Sequence, residues 1–356
     1  MNIPTLKIGN LEAKFPLIQG GMGIGVSLSK LAAAVANQGG IGIISGAQTG
    51  YKEDNFKTNN DEANIIGIQK EIRKARELSP NGIIGINFLQ ASHNYIELVN
   101  AAVQEKIDLI ISGAGLPKTL PKYVKGTQTK IAPIVSSGRA AKLLTKLWKK
   151  RYDYLPDAIV VEGPKAGGHL GFKREDLDSN NIKPLKELLQ EVLEAIKPFE
   201  TKYNQKIPVI AAGGIYSGKD MREMIELGAS GVQMATRFVA TEECDAHENF
   251  KKAYIDATED SIELIKSPVG LPGRVIKNEF TKKVDANALK IRSCYRCLKG
   301  CNPKIAPFCI TEALIDAVNG DTNNGLVFVG TNGYKIDHIS TVKEVFNSLR
   351  KEYLEQ

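Results

Sequence analysis

The amino-acid sequence predicts an α/β fold, a closed (β/α)₈ TIM barrel with an appended C-terminal segment. Eight short apolar runs recur between residues 15 and 238, and most of them end in small residues. Helix-period segments separate these runs, so that strands and helices alternate. Strands that are apolar along their whole length are typical of parallel sheets covered on both faces. Eight such units favour a closed barrel, with an open doubly wound sheet as the alternative.

Each element is predicted from its own stretch of sequence. Strands are predicted where apolar residues run almost without a break: Phe15–Gly21, Ile41–Ala47, Ile83–Leu89, Leu109–Gly115, Lys130–Ser137, Ala158–Pro164, Pro208–Ile215 and Gly231–Phe238. Helices are predicted where apolar residues recur every three or four positions: Ser29–Gln38, Glu62–Leu78, Tyr95–Lys106, Arg139–Lys150, Pro184–Tyr203 and Lys219–Leu227. A last helix, Thr341–Lys351, is expected to pack on the barrel.

The length of 356 residues predicts one large domain with an addition, because a single barrel typically has about 250 residues. We expect a barrel domain over residues 1–256 and a C-terminal segment over residues 257–356 that packs on it. The rhythm of strands and helices stops where this segment begins. Within it, Pro268–Gly273 is predicted to be a turn-rich connection.

Composition and charge exclude several classes of function. Hydrophobic residues make up 42% of the chain and charged residues 24%, which is ordinary for a globular protein. No apolar stretch approaches the ~18 residues of a membrane span, and the N-terminus lacks the layout of a signal peptide. A cytoplasmic protein without membrane contact is therefore expected. The net charge of +7 comes from lysines mixed with glutamates along helices, which indicates solvated faces and not a nucleic-acid site.

The ends of the predicted strands carry glycines with hydroxyl or amide residues, which indicates a large bound cofactor. The carboxyl ends of barrel strands converge on one face, where active sites lie, and glycines there let backbone N–H groups approach a ligand. Gly213 and Gly214 after strand seven, with Ala235 and Thr236 after strand eight, form the predicted phosphate site. Because no GxGxxG motif follows the first strand, a mononucleotide such as FMN suits the site better than NAD.

Three stretches occur in a specific order: FPLIQGGMG from Phe15, VVEGPKAGGHLGF from Val160, and PVIAAGGI from Pro208 with the later GASGVQMATRF. In this combination the sequence resembles the nitronate monooxygenase family, formerly called 2-nitropropane dioxygenases, which is related to the flavin-dependent enoyl-ACP reductases. The resemblance extends roughly from Phe15 to Phe280. The sequence departs from the family at Lys165, where an acidic residue is usual.

The resemblance implies a bound FMN and assigns residues to it. The backbone of Gly21 and Met22 is expected against the flavin ring, with Asn87 near the polar edge of the ring. Further residues are expected to line the pocket or hold the phosphate: Gly167, Gly168, Gly213, Gly214, Ala235 and Thr236.

His169 is the predicted catalytic residue. It lies just beyond a strand end, between Gly168 and Gly171, on the face where active sites form. Near neutral pH an imidazole can transfer a proton or hydrogen-bond an oxyanion. It could orient the oxygens of a nitronate or take the α-proton of a nitroalkane, and both roles are left open. The other histidines, at positions 93, 247 and 338, are expected to be structural or solvated.

Four of the five cysteines lie within sixteen residues in the pattern C-x2-C-x3-C-x7-C. They are Cys294, Cys297, Cys301 and Cys309. Four clustered thiolates suit a tetrahedral Zn²⁺ site or a [4Fe–4S] cluster. A group of ordinary thiols is the alternative, and both interpretations stay open.

The sequence favours an FMN-dependent nitronate monooxygenase that oxidises alkyl nitronates, such as propionate-3-nitronate, with molecular oxygen. The first alternative is an FMN-dependent reductase that uses NAD(P)H on enoyl-ACP thioesters or quinones. The second is a non-catalytic flavin or metal sensor, which only the cysteines suggest. The expected partners are a small-molecule substrate and oxygen, and the use of NAD(P)H is left open.

Overall fold

A closed barrel of eight parallel strands follows a short antiparallel hairpin. The computed structural model describes residues 2–179, 181–291 and 293–355. The hairpin consists of β1 (Leu6–Ile8) and β2 (Leu11–Ala13). The barrel strands are β3 (Leu17–Gln19), β4 (Ile41–Ser45), β5 (Ile83–Leu89), β6 (Leu109–Gly113), β7 (Lys130–Val135) and β8 (Ile159–Glu162), then, after the two-residue strand β9 (Gly168–His169), β10 (Val209–Ala212) and β11 (Gly231–Met234).

Each barrel strand lies within the apolar run that predicted it, so the predicted (β/α)₈ barrel is confirmed. Parallel pairing of β11 with β3, with Gln233 opposite Ile18, closes the barrel and rules out the open sheet. Most strands are shorter than the runs because the last residues of a run leave the sheet. After β10, for example, Gly213 and Gly214 have φ angles of +93° and +88°, which an extended strand does not contain.

Both faces of the barrel strands are buried, which explains their apolar sequences. Ile43 of β4 packs inside the barrel with Ile18, whereas the next residue, Ile44, packs against the surrounding helices. Successive side chains of a strand point in opposite directions, so both positions need apolar residues. Leu6 and Ile8 of the hairpin belong to the interior cluster and cover the barrel at its other end.

Helices surround the barrel and connect its strands. Those between barrel strands are α1 (Ser29–Asn37), α2 (Asn60–Leu78), α3 (Tyr95–Gln104), α4 (Pro121–Val124), α5 (Gly138–Tyr152), α6 (Arg174–Asp178), α7 (Leu185–Tyr203) and α8 (Gly218–Glu226). Those after β11 are α9 (Glu248–Ile255), α10 (Glu279–Asp285), α11 (Ile310–Val318) and α12 (Val342–Leu354). The six predicted inter-strand helices correspond to α1, α2, α3, α5, α7 and α8. In the described part of the chain, no helix has the length and apolarity to cross a membrane.

Helix α12 has the position of the eighth barrel helix, although residues 235–341 separate it from β11. It packs against α1 and α8. The fully buried ring of Phe346 lies 5.2 Å from the ring of Phe15, and the N–H of Gly218 donates to the Glu352 carboxylate at 2.7 Å. The predicted last helix is thus present. The predicted boundary between the barrel domain and the C-terminal segment, at residues 256 and 257, stays a prediction. Within the predicted C-terminal segment, α12 contributes to the barrel wall.

Residues 242–339 form an insertion whose two ends lie side by side. Thr241 and Ser340 form a parallel bridge, and the N–H of Glu242 donates to the carbonyl of Ser340 at 2.9 Å. Within the insertion, β12 (Ile262–Lys266) and β13 (Pro272–Ile276) form an antiparallel hairpin, and β13 also pairs with β9. The segment Pro268–Gly273, predicted as a connection only, contains most of the hairpin turn and the start of β13.

We expect Phe346→Ala to lower the free energy of unfolding by about 3–5 kcal/mol, as is typical of a buried phenylalanine. The ring fills the interface between α12 and the barrel, where it contacts Phe15 and Phe238. Leu354→Ala, in the same helix at a side chain that is 48% exposed, is the matched control and should change stability by less than about 0.5 kcal/mol. Denaturant unfolding measures both. Equal stabilities would show that α12 is not part of the barrel core.

Candidate active site

A cavity of about 420 Å³ opens at the carboxyl ends of the barrel strands. On the barrel side its wall includes Gly21 after β3 and Asn87 in β5, and the insertion contributes Leu326, Phe328 and Gly330. Apolar walls with a few convergent polar groups are typical of sites for small molecules and cofactors. The insertion therefore completes a cavity that the barrel alone leaves open.

The structure brings the ten predicted catalytic and cofactor residues together around this cavity and a smaller one beside it. Eight of them line the larger cavity: Gly21, Met22, Asn87, Gly167, Gly168, His169, Ala235 and Thr236. The smaller cavity, of about 110 Å³, is lined by the other two, Gly213 and Gly214, and shares Gly21, Gly167, Ala235 and Thr236 with the larger one. Their roles in catalysis and cofactor binding remain predictions.

Two positions in the wall of the smaller cavity, Gly213 and Gly214, require glycine because of the conformation of the loop after β10. A Cβ atom on Gly214 would lie 2.8 Å from Cβ of Lys165, and one on Gly213 would lie 2.9 Å from the carbonyl oxygen of Gly163. Both residues also have positive φ angles, which side chains rarely adopt. Thr236 Oγ1 accepts a hydrogen bond from the N–H of Gly330 at 3.2 Å, which leaves the hydroxyl proton free to donate. Backbone and hydroxyl donors of this kind suit an anion.

Carboxylates already occupy the beginning of α8. The N–H groups of Tyr216 and Ser217 donate to Asp220 at 3.0 and 2.9 Å, and that of Gly218 donates to Glu352 at 2.7 Å. An anion in the smaller cavity would therefore be bound by the loops after β10 and β11 and not by the N-terminus of α8.

His169 is held by contacts from the insertion. Its Nε2 atom lies 2.7 Å from the hydroxyl of Ser267, and its ring packs edge-on against Phe328 with centroids 4.8 Å apart. Ser267 is 2% exposed and lies at the end of the β12–β13 hairpin, while Gly273 of β13 pairs with His169 itself. Burial lowers the pKa of His169 to about 4 because the charged imidazolium would lose its hydration. The imidazole is therefore neutral at physiological pH.

Two charged residues, Glu162 and Lys165, line the cavities, and Arg274 lies near Glu162 outside their walls. The Arg274 guanidinium donates to the carbonyl of Pro164 at 2.8 Å and to that of Ala166, and so fixes the loop between β8 and β9. Glu162, the last residue of β8, lines both cavities. Burial raises its pKa to about 7, against the opposing influence of Arg274, whose own pKa burial lowers to about 10. Near neutral pH the carboxyl of Glu162 is a mixture of protonated and ionised forms.

Four residues of this site were missed from the sequence: Glu162, Ser267, Arg274 and Phe328. Glu162 had a usable signal, because it is a carboxylate at the end of a predicted barrel strand, where functional groups collect. The other three lie about a hundred residues or more beyond β8, and no local pattern relates them to the histidine.

The remaining histidines lie away from both cavities. His93 is exposed and lies within 3.4 Å of Arg296, His247 precedes α9 and accepts from the N–H of Asn249, and His338 is exposed beside Asp337. These positions agree with the structural or solvated roles expected for them.

The four clustered cysteines line a third cavity, of about 200 Å³, which we call the cysteine cavity: Cys294, Cys297, Cys301 and Cys309. Burial raises the pKa of Cys297 and Cys301, and that of Cys309 to about 11, so these three thiols are protonated at neutral pH. Over residues 2–179, 181–291 and 293–355, no three His, Cys, Asp or Glu side chains form a group that could hold a metal ion as they stand. The predicted metal remains a prediction.

Comparison with known proteins decides the family. The sequence model of the family described as nitronate monooxygenase matches residues 5–352. The chain belongs to the nitronate monooxygenase family. A probable nitronate monooxygenase of Staphylococcus saprophyticus is 26% identical over 80% of this chain and 82% of its own length. The resemblance seen in the sequence motifs is thereby confirmed, as is an oxidoreductase family.

Other relatives differ in their named activities. An octahydroindene-carboxyl-CoA dehydrogenase of Rhodococcus jostii is 25% identical over 76% of this chain. The matched region spans only 65% of the length of that relative. The structure of FabK from Thermotoga maritima has a TM-score of 0.72 at 27% identity and covers 96% of this chain and 93% of its own. Nitroalkane oxidase from Streptomyces ansochromogenes, at 21% identity and a TM-score of 0.74 over 96% of both chains, shows the shared fold.

We expect the imidazole of His169 to remain neutral until the pH falls to about 4. Between the usual pKa of about 6.5 and pH 4 the unfolded chain binds a proton that the folded chain does not. The contribution of His169 to stability is thus complete above about pH 6.5 and is lost as the pH falls towards 4. NMR titration of histidine ring carbons measures the pKa, with His169→Asn assigning the signal. A midpoint near 6.5 would contradict the buried environment.

Proposed function

We propose that the protein is an FMN-dependent nitronate monooxygenase that oxidises alkyl nitronates with molecular oxygen. The observation that carries the proposal is the position of His169, a partly buried, neutral imidazole in the wall of a cavity that adjoins the smaller cavity with Gly213 and Gly214. Membership of the family and the Staphylococcus relatives named as probable nitronate monooxygenases support the same activity.

The two adjoining cavities suit FMN. The loop with Gly213 and Gly214 lines the smaller one, where a side chain at either position would collide with neighbouring protein atoms, and Thr236 offers a hydroxyl donor to it. Gln233 lines both cavities, and its buried Oε1 atom has no hydrogen-bond partner within the described structure, so it can accept from a ligand N–H group. Bound FMN would supply the redox chemistry, the transfer of electrons from substrate to oxygen.

The contacts of His169 favour a binding role over proton abstraction. Ser267 Oγ accepts from the N–H of Val269 at 3.3 Å, so its own proton can be donated to Nε2 of His169. In that arrangement the ring proton is on Nδ1, which can donate to an oxygen of the nitronate. A base whose pKa is about 4 is poorly matched to removing an α-proton at neutral pH. We therefore assign His169 to orienting a nitronate that is already ionised.

A reductase is the second candidate function. The structural neighbour FabK, an enoyl-ACP reductase, is 27% identical and covers 96% of this chain. In such an enzyme His169 would polarise a thioester carbonyl while NAD(P)H supplied the electrons. Rapid reduction of the bound flavin by NAD(P)H would favour this candidate.

Gly214→Val should remove FMN from the purified protein. The new side chain would collide with Lys165, a residue in the wall of the smaller cavity, and would place a β-branched residue at a positive φ angle, so the loop that lines the cavity would have to move. Gly126→Val is the matched control, because Gly126 also has a positive φ, +87°, but has open space where a Cβ would lie. Acid release and chromatography measure the flavin per chain. Full occupancy in Gly214→Val, or equal loss in both variants, would refute the phosphate site.

The activity is tested by mixing the FMN-loaded protein anaerobically with propionate-3-nitronate, a neutral nitroalkane and NAD(P)H in turn. We expect the nitronate to bleach the flavin fastest. His169→Asn should keep its FMN but lose turnover by roughly 10²–10³-fold, the loss typical of removing one oriented hydrogen-bond donor. If His169 binds the nitro oxygens, the substitution should lower turnover of the nitronate and of the nitroalkane by the same factor.

The other outcomes separate the alternatives. A loss confined to the neutral nitroalkane would make His169 a base, against our assignment. Bleaching by NAD(P)H alone would favour the reductase, and parental rates in His169→Asn would remove this residue from the mechanism.

A further inference from the structure

The cysteine cavity contains a concentration of sulfur ligands that the proposed activity does not use. All four cysteines of the C-terminal cluster contribute to its wall, with His93 and Arg296 beside them. The fifth cysteine, Cys244, is buried elsewhere and donates to the carbonyl of Val26 at 3.3 Å. All four cysteines between residues 294 and 309 thus lie around one cavity.

The chemistry of the wall selects a soft metal. The residues that line the cavity include four thiols and an imidazole and no carboxylate. Thiolates favour zinc and iron–sulfur clusters, whereas calcium and magnesium require oxygen ligands. The volume of about 200 Å³ equals roughly seven times the ~30 Å³ that a water molecule occupies in the liquid. It can therefore contain either a single ion or a compact cluster.

We propose that Cys294, Cys297, Cys301 and Cys309 bind a soft metal centre through four thiolates, either Zn²⁺ or a [4Fe–4S] cluster. The side chains do not stand at ligand distances from one another in the free chain. A cysteine side chain can change between staggered rotamers, so binding of a metal would require the four sulfurs around this one cavity to rotate towards one another. Binding of the ion displaces one proton from each of the four thiols.

The local charge agrees with such a centre. Four thiolates around a dication leave a net charge of −2, which needs nearby cations. Arg296 lines the cavity, and Lys299 lies close by, with its ammonium group 3.5 Å from the carbonyl of Gln90. Both basic side chains would be attracted to the loaded site.

The centre would also fix the wall of the active-site cavity. Leu298 forms an antiparallel bridge with Ser92, and the N–H of His93 donates to the carbonyl of Cys297 at 3.0 Å. This pairing holds the loop directly after β5, the strand that carries Asn87. On the other side, Cys309 precedes α11, whose Leu314 lines the active-site cavity. Metal binding at the cysteines is thereby connected to two elements, β5 and α11, that contribute residues to the wall of the active-site cavity.

The test begins with metal analysis of the FMN-containing protein purified without oxygen. We expect either about one zinc per chain, or about four iron atoms with about four acid-labile sulfides. The double variant Cys297→Ala/Cys309→Ala should lose at least ten-fold of that metal. Cys244→Ala is the matched control and should keep it. Flavin content and circular dichroism verify that each variant is folded.

A second measurement does not depend on the variants folding. Co²⁺ added to chelator-treated, reduced wild-type protein should give the near-ultraviolet absorption of thiolate-to-metal charge transfer. Hydrogen exchange at residues 90–94 and in α11 should slow when the metal binds. Wild-type protein with neither bound metal nor the cobalt absorption, metal retained by the double variant, or two disulfides among the four cysteines would each overturn the proposal.

Discussion

The antiparallel pairing of β13 with β9 is the contact on which the candidate site depends. It places Gly273 opposite His169 and Arg274 opposite Gly168, and so holds the loop after β8 across the mouth of the barrel. Arg274 completes this attachment through the carbonyls of Pro164 and Ala166. Without the pairing, a glycine-rich loop would have no fixed conformation, and neither the histidine nor the backbone around Gly167 would have a defined position.

The same attachment determines the electrostatics of the site. The turn of the β12–β13 hairpin places the hydroxyl of Ser267 beside Nε2 of His169. Burial of the imidazole lowers its pKa and so keeps it uncharged. Glu162 is kept near its midpoint of ionisation because burial and the charge of Arg274 oppose each other. A neutral imidazole and a carboxyl group of adjustable charge in the same cavity wall would suit the anionic substrate of the proposed function, because Glu162 can be protonated when an anion binds.

The fold was predictable from the sequence because its signals are local. Each parallel strand is buried on both faces, so each is an apolar run, and the residues that follow the strands necessarily meet at one end of the barrel. That rule was enough to bring together Asn87, His169 and Thr236. The rule could not predict that Ser267 and Phe328 belong to the site, because their positions follow from strand pairing between segments about a hundred residues or more apart in the chain. Helix α12 was predictable as a helix, but its place in the barrel wall depends on packing that its own sequence does not specify.

The bridge between Thr241 and Ser340 has a consequence for how this family can change. The insertion leaves and re-enters the barrel at neighbouring residues. Its 98 residues therefore form a cassette, that is, a module whose two ends lie side by side on the barrel. Loop-closure entropy grows only slowly with length, by about 0.6 kcal/mol for each doubling. The same barrel can therefore accept cassettes of other sizes and compositions in place of this one, and α12 can still pack as its last helix. A change in the cassette would then alter the cavity wall around His169, while the loops after β10 and β11, the proposed phosphate site, stay the same.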